Sequence, residues 1–176
     1  MPELLDKRGM TEEEAIARYR AKNYPRPALT ADIAVFARTG AEWRVLLIRR
    51  GNHPYLGCWA LPGGFADENE PVERTAAREL EEETGLSGLP LALTGFYSAP
   101  GRDPRGWVVS AAYAVRLEEQ PPAKAGDDAA ETAWLPVRFT DGVWRVTLPE
   151  GERLAFDHAQ VLADAARQCL ETGSPV

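Results

Sequence analysis

Cysteine is scarce in this chain, with Cys58 and Cys169 the only two in 176 residues. Neither stands in metal-ligand or redox spacing, so a disulfide framework and a thiolate metal site drop out, and both read as ordinary thiols of a reducing compartment. Long apolar runs are missing too. None approaches the ~20 residues needed to span a bilayer, and the charged stretch 1–13 lacks the apolar centre of a secretory signal. Cytoplasm is therefore the expected location, and no membrane is expected as a partner. Positive charge is in short supply: 20 Lys and Arg against 27 Asp and Glu leave a net charge of -7, which argues against a broad surface for nucleic acid. The same balance admits a small phosphate-bearing ligand if a metal ion supplies the missing local charge. No internal repeat or low-complexity segment is visible, and nothing resembling a winged-helix module follows the last predicted helix.

What is present is an ordinary globular composition, 44% apolar and 27% charged, at a length that suits one domain. The expected organisation is an N-terminal helical extension over 1–23, a body over 24–171 and a frayed tail over 172–176. The stretch from 64 to 86, GFADENEPVERTAARELEEETGL, is the centre of the body. Its second half is predicted helical, which places Glu79, Glu82 and Glu83 on one face. Like charges so arranged repel, and a helix selected for stability alone would avoid them. A divalent cation with oxygen ligands, one that keeps several waters and meets substrate phosphates, is the partner expected to relieve the repulsion. A second face, Ala76, Ala77, Leu80 and Thr84, is small and apolar enough to pack on a sheet. Pro71 suits the first helical position and Gly85 the stop, while LPGG at 61–64 is a tight turn through which a backbone carbonyl, that of Gly63, can approach an ion.

Along the rest of the chain, Thr11 and Glu14 form a capping box that starts a helix through about Lys22. The prolines of 24–27 deliver an extended segment into a strand over 28–38, and 43–50 returns as a strand too continuously apolar to be half-exposed. Arg49 and Arg50 end that strand, either as solubilising charges or as functional ones, Arg50 being the stronger functional candidate; His53 reads as a surface residue. Strands are predicted over 91–98, 107–117 and 131–137, and a hairpin over 143–156 around the turn at 149–151. The 99–106 loop holds Arg102, Asp103 and Arg105 among prolines and glycines, a composition for ligand recognition or for a plain solvated connection. Asp157 is expected to cap a last helix with Val161, Leu162, Ala165, Ala166 and Leu170 inside.

Gly64, Glu70 and then Arg78, Glu79, Leu80, Glu82, Glu83, Gly85 and Leu86 match every fixed position of the Nudix hydrolase signature, and the chain resembles that family. The resemblance implies an α/β/α sandwich with a mixed β-sheet carrying the signature loop and helix. It also implies hydrolysis of a nucleoside diphosphate linked to another group, with Mg2+ or Mn2+ held by Gly63, Glu79, Glu82 and Glu83. Segments 24–30, 101–105 and 154–158 resemble the ADP-ribose pyrophosphatase-like branch, which implies ADP-ribose as substrate, AMP and ribose 5-phosphate as products, and a homodimer in many members. In that setting Glu79, Glu82 and Arg78 carry catalysis, Arg78 by holding a glutamate in ligating orientation. Arg50, Arg102, Asp103 and Arg105 bind substrate, and Tyr55 or Trp107 is available to stack on adenine. The general base stays open among Glu79, Glu118, Asp128 and Glu131. Two other readings also stay open: a Nudix enzyme acting on oxidised nucleoside triphosphates or sugar nucleotides, and a protein that senses ADP-ribose without turnover.

Overall fold

A computed structural model of the chain describes residues 4–126 and 129–171. The Asp127 and Asp128 candidates, the side chain of Ala129 and the tail from 172 lie outside the described residues. The elements in order are α1 (Glu12–Arg20), β1 (Ala28–Thr39), β2 (Glu42–Arg50), β3 (Trp59–Ala60), β4 (Gly63–Phe65), α2 (Val72–Thr84), β5 (Ala92–Tyr97), β6 (Val108–Leu117), β7 (Ala129–Thr140), β8 (Val143–Val146) and α3 (His158–Ala166), which runs into a π-helical turn, Arg167–Glu171.

The strands form one mixed sheet in the order β5-β6-β1-β2-β7-β8, with β3 paired to β2 and β4 to β1. Among the described strands β1 and β6 pair in parallel, and the other strand pairs are antiparallel. β1 is the axis. It keeps β6 along one edge from Ala28 to Ala37, while its other edge takes β4 over Thr30 to Asp32 and β2 over Phe36 to Thr39. The signature turn is thereby wedged into the sheet.

Alternation along β1 sorts the core into two layers. Ala31, Ile33 and Val35 face α2 with Leu46, Ala76 and Leu80, whereas Ala34 and Phe36 face α3 with Val45, Leu47, Val161 and Leu162. This is the α/β/α sandwich the signature implied. β1 and the middle of β2 are buried on both faces, which explains their unbroken apolar runs. Among the described residues no helix is long and apolar enough to cross a membrane.

Several local expectations are corrected. Pro71 is the N-cap of α2 rather than its first helical residue, and Thr75, not Ala77, completes the buried face. Thr75 is buried with its hydroxyl donating to Glu70 at 2.8 Å, while Ala77 is exposed to solvent. No strand forms over 152–156; Leu154 makes a single parallel bridge to Trp59, and Ala155 N–H donates to the Trp59 carbonyl. Asp157 occupies the N-cap of α3 without a side-chain cap, because its carboxylate is taken by Arg102. After α3, in the π turn, Cys169 is fully buried, and Leu170 is partly buried against the same core as Val161, Leu162, Ala165 and Ala166.

Candidate active site

α2 presents the acidic face toward the β4 turn. Arg78 sits at its centre, donating to Glu70 (3.0 Å), Glu79 (2.7 Å), Glu82 (3.0 Å) and the Phe65 carbonyl (3.0 Å). One guanidinium thus joins the loop before the helix to two turns of the helix. Its carboxylate partners hold Arg78 well above the ordinary arginine pKa, and the same contact holds Glu70 down at about 2. Glu79 behaves oppositely: burial pushes its pKa up, although Arg78 opposes the shift. Glu83 accepts from Gly63 N–H at 2.8 Å. Gly64 packs so closely on Glu79 that a Cβ there would lie 2.5 Å from the carboxylate.

The expected metal ligands, Glu79, Glu82, Glu83 and the Gly63 carbonyl, would offer only oxygen donors, the chemistry that Mg2+ and Mn2+ take. Among the described residues no three acidic, histidine or cysteine groups converge as a closed metal cluster. Arg78 instead pairs with both Glu79 and Glu82 from between them.

Two adjoining recesses open beside this face. The first is lined by Glu79, Glu83, Arg78, Asp67, His53 and the 50–52 backbone; the second, deeper one by Thr30, Asp32, Arg102, Asp103, Phe156 and His158. They share Arg50, Gly63, Gly64, Phe65 and Arg105. A β-bulge at Arg49 and Arg50 separates these two neighbours. Arg49 stacks on Trp59 and binds Glu131 and Glu152, whereas Arg50 turns into the cleft over the Phe156 ring. Burial lowers the pKa of Arg50, and so does the charge of Arg105, whose guanidinium lies 4.6 Å from the Phe65 centroid and 5.6 Å from that of Phe156. Two cations therefore face the middle of the cleft around two phenylalanine rings.

The 99–106 loop divides its charges. Arg105 borders both recesses, held by paired bonds to Asp103, which overcome the effect of burial and lower the Asp103 pKa. Arg102 points inward, 5% exposed, its Nε and Nη2 given to Asp157 and its Nη2 also 3.4 Å from Asp32. Of the remaining candidates, Tyr55 backs the Phe156 ring at 4.7 Å, and Trp107 is 58% exposed and lines neither recess. Glu118 is engaged with Arg116 and Glu131 with Arg49, both away from the recesses. The segment through Gly126 closes onto the end of α2, where Lys124 N–H and Gly126 N–H donate to the Thr84 and Glu83 carbonyls.

Residue-level reading did not point to Asp32 and His158, which line the second recess, or to buried Ser110 behind them, whose Oγ donates to Asp32, with His158 Nε2 3.5 Å from that carboxylate. Asp32 had a legible signal, a charge inside an otherwise apolar strand. Nothing in the sequence pairs it with His158.

Residues 26–150 match the NUDIX domain family profile. The chain belongs to the Nudix hydrolase family. An ADP-ribose pyrophosphatase from Methanocaldococcus jannaschii is 42% identical over 124 residues, covering 70% of this chain and 66% of the relative. An ADPR responsive transcriptional repressor from Acinetobacter baylyi is 31% identical over 159 residues, covering 88% of this chain and 59% of the repressor. The chain thus spans about two thirds or less of these curated relatives. Among solved structures, the NUDIX domain of Shewanella oneidensis NrtR complexed with ADP ribose superimposes with a TM-score of 0.76 at 33% identity, covering 90% of this chain and 99% of that domain. With a transcriptional repressor among the relatives, the expected absence of a nucleic-acid partner has no support.

Proposed function

We propose that this Nudix protein is a divalent-metal-dependent pyrophosphohydrolase that cleaves ADP-ribose to AMP and ribose 5-phosphate. The observation that carries the reading is the continuity of one cleft: acidic donors of α2 at one end, Arg50 and Arg105 in the middle, and a polar recess beyond. A diphosphate laid across Gly63 and Gly64 meets both guanidinium groups, which offer planar donors to its oxygens. Glu79, Glu82, Glu83 and the Gly63 carbonyl hold Mg2+ or Mn2+. When bound there, the cation supplies charge neutralisation and a more acidic water. Arg78, already bonded to Glu79 and Glu82, would orient them as ligands, and the Phe65 and Phe156 rings flank the guanidinium groups of Arg50 and Arg105. Water adds across one P–O bond of the diphosphate, and AMP and ribose 5-phosphate leave. Among the candidate bases Glu79, whose pKa burial raises, lines the cleft, whereas Glu118 and Glu131 are engaged away from it.

The test is ADP-ribose turnover in Mg2+ with both products identified by chromatography. Glu83→Gln lowers kcat by more than the ~10- to 100-fold typical of losing an outer partner of a metal site; an unchanged rate rejects the reading. Pyrophosphate from nucleoside triphosphates would redirect it to the triphosphate alternative. A second reading, an ADP-ribose sensor without turnover, is favoured by the Arg78 guanidinium seated between Glu79 and Glu82 and by the similarity to the Acinetobacter repressor. Saturable ADP-ribose binding with no product in Mg2+ or Mn2+ identifies it.

A further inference from the structure

We propose that His158, from the far side of the sheet, is a positioning residue for the acidic face of α2, acting through the Leu61–Gly64 backbone. The inference rests on the metal-holding role given above to Glu79, Glu83 and Gly63.

The turn between β3 and β4 has little to hold itself in place. β3 contributes two residues and β4 three, and Pro62 has no N–H to give. Its buried Leu61 N–H is satisfied by a single acceptor, His158 Nδ1, at 2.9 Å. One residue on, the Pro62 carbonyl accepts from Ile33 N–H at 2.8 Å, and Gly63 N–H then donates to Glu83 at 2.8 Å. Three successive residues are therefore tied to α3, to β1 and to α2. Clearance is minimal on both sides: a Cβ on Gly63 would fall 2.1 Å from the Ala31 carbonyl, and one on Gly64 2.5 Å from the Glu79 carboxylate. A few tenths of an ångström at Leu61 are thus passed directly to the seats of Glu79 and Glu83.

The imidazole is itself constrained. It begins α3, stacks near Phe156 at 5.3 Å, and presents Nε2 to Asp32, the residue opposite Gly63 in the β1–β4 register. Since Nδ1 accepts from Leu61, the ring proton belongs on Nε2, toward the carboxylate. Burial favours that neutral form, with Asp32 opposing.

Two amide substitutions separate the roles of the two nitrogens. His158→Asn keeps an acceptor near the Nδ1 position; His158→Gln carries its polar group out to the Nε2 position and leaves Leu61 N–H unpaired. The probes are Mn2+ alone, measured by the electron paramagnetic resonance of the free ion, and amide exchange at Leu61 and Gly63. The expected result is Mn2+ affinity within ~3-fold of the unsubstituted protein for the Asn variant, ~10-fold or more weaker for the Gln variant, and faster exchange of both amides only in the latter. Equal Mn2+ affinity in a folded Gln variant overturns the inference, as does an Asn variant equally impaired. If the unsubstituted protein binds no Mn2+, the functional reading fails and exchange alone decides: Gly63 loosening with Leu61 supports the positioning role, and Gly63 staying protected rejects it. If the Gln variant does not fold, the unsubstituted protein supplies the same decision, since Gly63 must exchange in the same opening as Leu61.

Discussion

At the scale of single residues, the neighbouring glycines of the signature do different work. Gly63 has φ +151°, a left-handed-side conformation, and meets rigid backbone at Ala31; Gly64 meets only the mobile end of the Glu79 side chain. Gly63→Ala is therefore expected to destabilise the fold by about 3 kcal/mol, read as a lowered denaturant midpoint. Gly64→Ala keeps the fold and loses turnover, because Glu79 must move. The Glu70 to Arg78 pair makes a separate prediction in pH. The folded pKa of Glu70 is depressed from 4.5 to about 2, so its stabilisation is fully present above 4.5 and disappears as pH falls from there toward 2. Unfolding free energies of Glu70→Gln should consequently fall less steeply between pH 5 and pH 2 than those of the unsubstituted protein.

Between elements, helices of similar sequence quality differ in what they support. α1 is capped at both levels of its capping box, yet none of its residues is buried. α2 has no side-chain cap but seats Thr75, Ala76, Leu80 and Thr84 against β1 and closes on Gly85 in the left-handed conformation. Tertiary burial outweighs local propensity in such comparisons. Thr11→Ala is accordingly expected to leave global unfolding unchanged within about 0.5 kcal/mol while α1 amides exchange faster. Leu80→Ala should cost about 2–5 kcal/mol and lower metal affinity as well, because the same helix carries the ligands on its other face.

Across the whole molecule, the cleft is assembled from segments that share no sequence neighbourhood: the start of β1, the end of β2, the signature, the 99–106 loop and the start of α3. A ligand that bridges them must stabilise the fold. Mg2+ with a non-hydrolysable methylene analogue of ADP-ribose at 100 times its Kd should add about 2.7 kcal/mol to the unfolding free energy, a gain that EDTA removes together with all turnover. Stabilisation by the analogue that survives EDTA would mean that the acidic face contributes nothing to binding.

The signature was legible because its chemistry is local: a helix converts spacings of three and four into one acidic face, and like charges there demand a counter-ion whatever surrounds them. The two-sided burial of β1 and β2 was legible for a similar reason, as strand residues alternate and both sets are apolar. The charges of the 99–106 loop were not sortable in this way, since Arg102 and Arg105 have the same composition around them and only packing sends one inward to Asp157 and Asp32 and leaves the other over Phe65. Nor did any periodicity connect Asp32 with His158. Sequence by itself determined the acidic helix and the layers of the sandwich, because these follow from short-range geometry. The tertiary structure alone decided which distant charges meet in the cleft, because burial lets a charge persist only where the fold brings it a partner.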